Sequence, residues 1–327
     1  MLLRTPRFSA LPLLAVPRGH PPWVRPMVFG ALALAHLARW DDADGAAATR
    51  FRLVADLGGS FPELANTALA AGGYPLDAVL ALPLVWLSGS WAPVAGAAWL
   101  AVAGGAAAWL VGAWWGSALA GTLAGLAWML TLDATFVSGD TATLAALALL
   151  PLAWGMTLRA LGGGAWQLFS AAGLTGAIFM VSAAESRALL VLFAVTAGAA
   201  ARSEESRRHI GVLVGVLAGG LALALPALAL RATAVSAPFP EGARLLPLLL
   251  VAVAGVSAWS ARAHSQRLLL PICALVGGLG PVEGSAAAGL GLVCLAGAGV
   301  IPAAQLASRL AAWRGSGKAA ARALSGA

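Results

Sequence analysis

The chain has 327 residues, of which 60% are hydrophobic and only 10% charged, and its mean hydropathy is +0.87. Soluble domains carry roughly a quarter charged residues, so this composition excludes a water-soluble core and implies an integral membrane protein. The formal charge of +7 does not indicate nucleic acid, because the basic residues are scattered over short loops and both tails and do not line one face.

Residues 1–25 carry Arg4, Arg7, Arg18 and Arg25 among several prolines and read as a basic cytoplasmic tail. The apolar run Leu11–Val16 is too short and too interrupted to form a secretory signal core. Residues 26–303 read as the transmembrane domain. Its first span is Met27 to Trp40, and with Trp23 and Pro26 before it the run reaches the roughly 17–20 residues a bilayer requires. Trp23 and Trp40 then fall where interfacial aromatics belong. A polar outer loop follows over 41–75. Together with Asp77 it holds Asp41, Asp42, Asp44, Asp56 and Glu63, six of the 13 acids of the chain. The stretch 76–87 is apolar but broken at Pro83, which predicts a re-entrant or interfacial helix. Further spans are predicted at 92–113, 117–135, 142–160, 166–183, 187–201, 210–230, 245–260, 268–281 and 286–303. Residues 304–327 place Leu306, Leu310 and Trp313 at helical spacing beside Arg309 and Arg314, the pattern of an amphipathic helix on the inner leaflet.

The expected fold class is therefore all-α, a polytopic helical bundle of about ten spans, since a helix satisfies its own backbone in lipid. With both termini cytoplasmic, fourteen of the 20 basic residues fall inside and six outside, as the positive-inside rule requires. Of the 13 acids, only Glu204 and Glu205 fall inside. The forty glycines suit helices that approach closely through small residues. Cys273 and Cys294 lie in apolar runs and read as small buried hydrophobes.

Enzyme signatures are sparse. The chain has no His-Glu-x-x-His, no P-loop and no Cys-x-x-Cys. His36 lies in the first span and reads as a packed core histidine. Asp133 is the acid nearest to an intramembrane charge, the usual mark of ion-coupled transport. The acidic outer loop is the richer candidate. Asp56 and Glu63 flank Gly58, Gly59 and Pro62, on a loop whose shape glycine and proline would set. A carboxylate there would serve as general base towards an acceptor hydroxyl, or would ligate a hard divalent cation such as Mg or Mn. Asp41 and Asp42, just beyond the first span, offer the same chemistry. The plain alternative is that these acids keep the loop in water. Trp86, Trp91, Trp99, Trp109, Trp114, Trp115 and Trp128 suit stacking on sugar rings, or anchoring at the membrane interface.

A basic tail, one span, a long acidic outer loop and many short-looped spans resemble the type-C glycosyltransferases. These polytopic enzymes move a sugar from a polyprenyl-phosphate carrier to an acceptor on the outer side. Within them the chain is most similar to large bacterial membrane proteins grouped as glycosyltransferases or as related to pyruvoyl-tetrahydropterin synthase. Asp56 matches their acid in the first outer loop. Gly72-Gly73-Tyr74-Pro75-Leu76 with Leu82-Pro83-Leu84 matches the sequence that follows, and Ser138-Gly139-Asp140 with Leu149-Leu150-Pro151-Leu152 matches a later loop and span. The family's aromatic-Tyr-Pro-Pro run is replaced here by Asp77 to Pro83. The resemblance implies catalysis by Asp56, with Asp140 as a second-loop acid near the carrier phosphate or metal. To these the loop residues themselves add Glu63 as a further catalytic acid, and Asp41, Asp42, Tyr74, Trp86 and Trp91 as substrate contacts. It also implies a lipid-linked sugar as partner and the bacterial cytoplasmic membrane as location. Two other readings stay open: a passive carrier or flippase for a lipid or small solute, and a non-catalytic subunit of a membrane complex.

Overall fold

The computed structural model describes residues 24–39, 92–201, 205–230, 271–272, 274–275, 286–298 and 300. Among them the chain is helical almost throughout, with no strand. Helix α1 is Val24–Ala35 and runs into a 3-10 turn, His36–Arg39. It is followed among the described residues by α2 (Ala92–Trp115), α3 (Ala118–Thr131), α4 (Asp133–Val137) and α5 (Thr141–Leu161). Then come α6 (Ala165–Val181), α7 (Ala183–Ala200), α8 (Ser206–Leu230) and α9 (Ala286–Ala298).

Pro93–Trp115, Thr141–Leu161 and Ser206–Leu225 are long and apolar enough to cross a membrane, and Met27–Arg39, Ala118–Thr131, Ala165–Val181 and Ala286–Ala298 are shorter apolar helices. By length and composition this is a membrane protein. Where the expected spans can be compared, they coincide with these helices, with three differences. The helix expected at 210–230 begins at Ser206, which takes Arg207, Arg208 and His209 into its first turn. The span expected at 117–135 is broken. At Leu132 (φ −92°, ψ −3°) the backbone N–H is shared among the carbonyls of the preceding turn, and α4 restarts at Asp133. The helix expected at 187–201 begins at Ala183, which draws Glu185 into its first turn and buries it. The loop 41–75, the segment 76–87, the span at 245–260 and both tails lie outside the described residues.

Helix α5 is the hub. It is buried along 83% of its most apolar stretch, against 28% for α8. It packs on α2, α6 and α7, while α8 leans chiefly on α6. Small residues set the closest crossings. A side chain on Gly121 would meet the carbonyl of Ala108 at 2.4 Å, and one on Gly125 the carbonyl of Gly104 at 2.4 Å. Helices α2 and α3 therefore touch backbone to backbone, the contact that small-x-x-x-small spacing permits in lipid. They are joined by a tight turn in which Gly116 takes φ +66°, a conformation costly for any residue with a Cβ. Helices α6 and α8 run parallel, with Gly176 against Gly220 and Ala172 against Gly219.

Tryptophans fill much of the core. Trp114, Trp128 and Trp154 are among its largest fully buried side chains. Trp114 stacks on Trp154 at 6.0 Å. Trp154 donates to the Thr196 hydroxyl (3.1 Å), which donates in turn to the Leu192 carbonyl (2.7 Å). Trp115 donates to the Cys294 carbonyl (2.8 Å), tying α2 to α9. Trp114, Trp115 and Trp128 are therefore core residues and line no sugar-stacking surface. Cys294 is buried with its thiol free, as expected.

Candidate functional site

Asp133 draws two residues of the first helical segment, His36 and Arg39, to its end of the bundle. It is the first residue of α4 and follows the break at Leu132, with its side chain mostly buried. Across from it, the 3-10 turn after α1 presents His36 and Arg39 three residues apart, on one side of the turn. Arg39 Nη1 lies 2.8 Å from Asp133 Oδ2, and His36 Nε2 lies 3.6 Å from Asp133 Oδ1. The imidazole is fixed from behind, because Nδ1 donates to the Leu32 carbonyl at 2.8 Å. Its ring also meets Phe136 edge-on at 6.3 Å.

This geometry limits what each group can do. With Nδ1 donating to Leu32, the ring is fixed so that Nε2 faces Asp133 Oδ1. At 3.6 Å that contact is electrostatic and not a hydrogen bond. Asp133 Oδ1 is accordingly buried without a hydrogen-bond partner among the described residues. His36 is packed as expected, edge-on against Phe136 with Nδ1 tied to its own helix, and it turns Nε2 towards Asp133. The guanidinium of Arg39 is 57% exposed, and Asp133 engages only one of its terminal nitrogens. Among the described residues the rest of its fork of N–H donors has no acidic partner and can meet an anion.

Asp140 lies at the same end, one short helix further along. It is the N-cap of α5, and its Oδ1 accepts the backbone N–H of Thr143 at 3.1 Å. Gly139 (φ +73°) makes the preceding turn, and the Ser138 hydroxyl donates to the Thr135 carbonyl at 2.9 Å. Asp140 is exposed, so capping leaves its second oxygen facing outward. Ser182 and Glu185 stand at this end too, at capping-box spacing. Here the Ser182 hydroxyl donates to the Glu185 carboxylate and makes no cap to the backbone.

Of the expected site residues, the structure thus places Asp140, at the end of the bundle that carries Asp133. Asp41, Asp42, Asp56, Glu63, Tyr74, Trp86 and Trp91 lie outside the described residues. Arg39 was missed by sequence reasoning. Its only signal was its position two residues before Asp41, which ties the charged cluster by chain continuity to the start of the acidic segment. Among the described residues no three of His, Cys, Asp and Glu come together to hold a metal ion, and Asp133 is already balanced by Arg39. Comparison with protein-family models, with curated proteins and with solved structures finds no match to this chain.

Proposed function

We propose that this protein is a multi-pass glycosyltransferase-like enzyme of the bacterial cytoplasmic membrane. It would transfer a sugar from a polyprenyl-phosphate carrier to an acceptor at the extracytoplasmic face. In this reading the bundle has about ten spans with both termini cytoplasmic, and the Asp133 end faces outward. The observation that supports it is the Arg39–Asp133–His36 cluster. It supplies an exposed guanidinium at the membrane boundary, held by a carboxylate, directly before the acid-rich segment and at the same end as Asp140. A lipid-linked sugar needs a cationic group for its phosphate and a carboxylate for the acceptor hydroxyl. Arg39 is suited to the first role and Asp56 to the second, with Glu63 and Asp140 assisting.

The test is binding and turnover of polyprenyl-phosphate sugars by the purified protein in lipid nanodiscs, wild type against Asp56→Asn, with and without magnesium or manganese. Carrier binding by both proteins, with transfer lost in the variant, is the expected result. Failure of the wild type to bind any such carrier would sink the reading.

A second reading is favoured by the break at Leu132. Interrupted membrane helices commonly line transport sites, and here the interruption carries a carboxylate with one unpartnered buried oxygen. A carrier of small solutes would then show flux in proteoliposomes without consuming substrate, and Asp133→Asn would abolish that flux.

A further inference from the structure

The opposite end of the bundle carries a different chemistry, independent of the transferase reading. Here α5 ends with Arg159 in its last turn, and its guanidinium lies over the Trp109 ring at 4.9 Å. The turn Gly162–Gly164 leads into α6, and α8 starts nearby at Ser206. Because α6 and α8 run parallel and touch through Ala172, Gly176, Gly219 and Gly220, their first turns face the same way. Arg208 lies directly on the turn: a Cβ added to Gly163 would sit 2.8 Å from its Nη2.

The charges here do not cancel. Arg208 Nη1 pairs with Glu205 at 2.9 Å, and His209 approaches the same carboxylate at 3.9 Å. Glu205 is the sole acid among the described residues of this end. Arg207 is exposed and has no ion pair among the described residues. Just inside the turn, the first two turns of α6 hold Trp166 and Phe169, 75% and 70% exposed, the most exposed large apolar side chains described. An aromatic pair left in the open is costly in water and favourable at the interface of a bilayer, where tryptophan is enriched. Basic side chains one step further out then stand at headgroup depth.

We propose that this end of the bundle is a binding surface for anionic phospholipid headgroups. Arg207 and Arg208 take the lipid phosphate above the Gly162–Gly164 turn, and Trp166 and Phe169 pack against the upper part of the acyl chains. Charge complementarity selects the occupant. Among the described residues of this end, Arg159, Arg207 and Arg208 stand against one acid, Glu205, which of the three arginines pairs with Arg208 alone. The described surface therefore keeps a net positive charge that a zwitterionic lipid cannot neutralise and an anionic lipid can. The arginine fork also suits a phosphate better than a point cation would.

The experiment is native mass spectrometry of the full-length protein in detergent, titrated with phosphatidylglycerol or with phosphatidylcholine of the same chains. Wild type is expected to retain phosphatidylglycerol preferentially. Arg207→Gln with Arg208→Gln is expected to lose that preference by about fivefold per arginine, the fold-change equivalent of roughly 1 kcal/mol for each basic residue near an anionic surface. Equal retention of the two lipids by wild type overturns the proposal. So does an unchanged preference in a folded double variant, which would seat the lipid elsewhere. Should the double variant not fold, salt decides on wild type alone: a preference carried by the arginines weakens as ionic strength rises, and a salt-insensitive preference overturns the proposal.

Discussion

Asp133 and Asp140 are seven positions apart and do different work. Asp133 is held by Arg39 of the 3-10 turn that follows α1, so its effect is expected to depend on that partner. Partly exposed ion pairs contribute about 0.2–1 kcal/mol. Arg39→Gln and Asp133→Asn should therefore each lower the thermal midpoint slightly, and the double variant should be no worse than the poorer single. Strictly additive losses in such a double-mutant cycle would mean that the pair is not coupled. Asp140 can be separated from its cap by the choice of replacement. Asparagine caps as well as aspartate, whereas alanine loses about 1 kcal/mol. Asp140→Ala should thus be measurably less stable than Asp140→Asn. Under the transferase reading, Asp140→Asn should melt like wild type and yet transfer sugar more slowly. Full turnover by Asp140→Asn would leave Asp140 as a helix cap alone.

At the scale of elements, small residues set the crossing of the α2–α3 hairpin, and the reason is steric. Gly125 faces the Gly104 carbonyl, Phe29 and Ala108 at distances no Cβ can occupy, while Gly105 on the same hairpin has open space around it. Gly125→Val should separate the helices and cost on the order of 1–3 kcal/mol or more. Gly105→Ala should be neutral or stabilising by up to about 1 kcal/mol, since alanine is the better helix former. Relative melting temperatures of the two purified variants check both, and equal tolerance would refute backbone contact as the basis of the crossing. Helix existence was legible because long apolar runs between charged or glycine-rich turns leave few alternatives in lipid. The break at Leu132 was not, because Met129 to Phe136 contains neither proline nor glycine. The break shows itself only through the shared N–H of Leu132 and the Thr131 hydroxyl donating back to the Trp128 carbonyl (2.7 Å). The partnership of His36 and Arg39 with Asp133 was hidden for a related reason. No local spacing encodes a contact between the first helix and a restart so far along the chain.

For the whole molecule, one continuous apolar core joins elements from both ends of the sequence. Phe29, Trp114, Leu147, Leu192, Val216 and Cys294 all belong to it. Helix α9 is thus an inner element of the bundle, locked by the Trp115–Cys294 hydrogen bond. Such a core is expected to open only when the bundle as a whole loosens, because its helices are packed on one another and not threaded singly through lipid. The Cys294 thiol reports on this directly. In a Cys273→Ser background it is the single cysteine, and its full burial should make it unreactive towards a membrane-permeant maleimide in the folded protein. Denaturing detergent should then expose it to complete labelling. Trp115→Phe removes the hydrogen bond and little of the volume, so it should accelerate labelling several-fold without dissociating the bundle. Rapid labelling of the folded Cys273→Ser protein would place α9 at the lipid face and break the continuity of the core. Slow labelling that Trp115→Phe leaves unchanged would keep α9 inside but assign its anchoring to packing around Leu290 and Val293 rather than to the tryptophan.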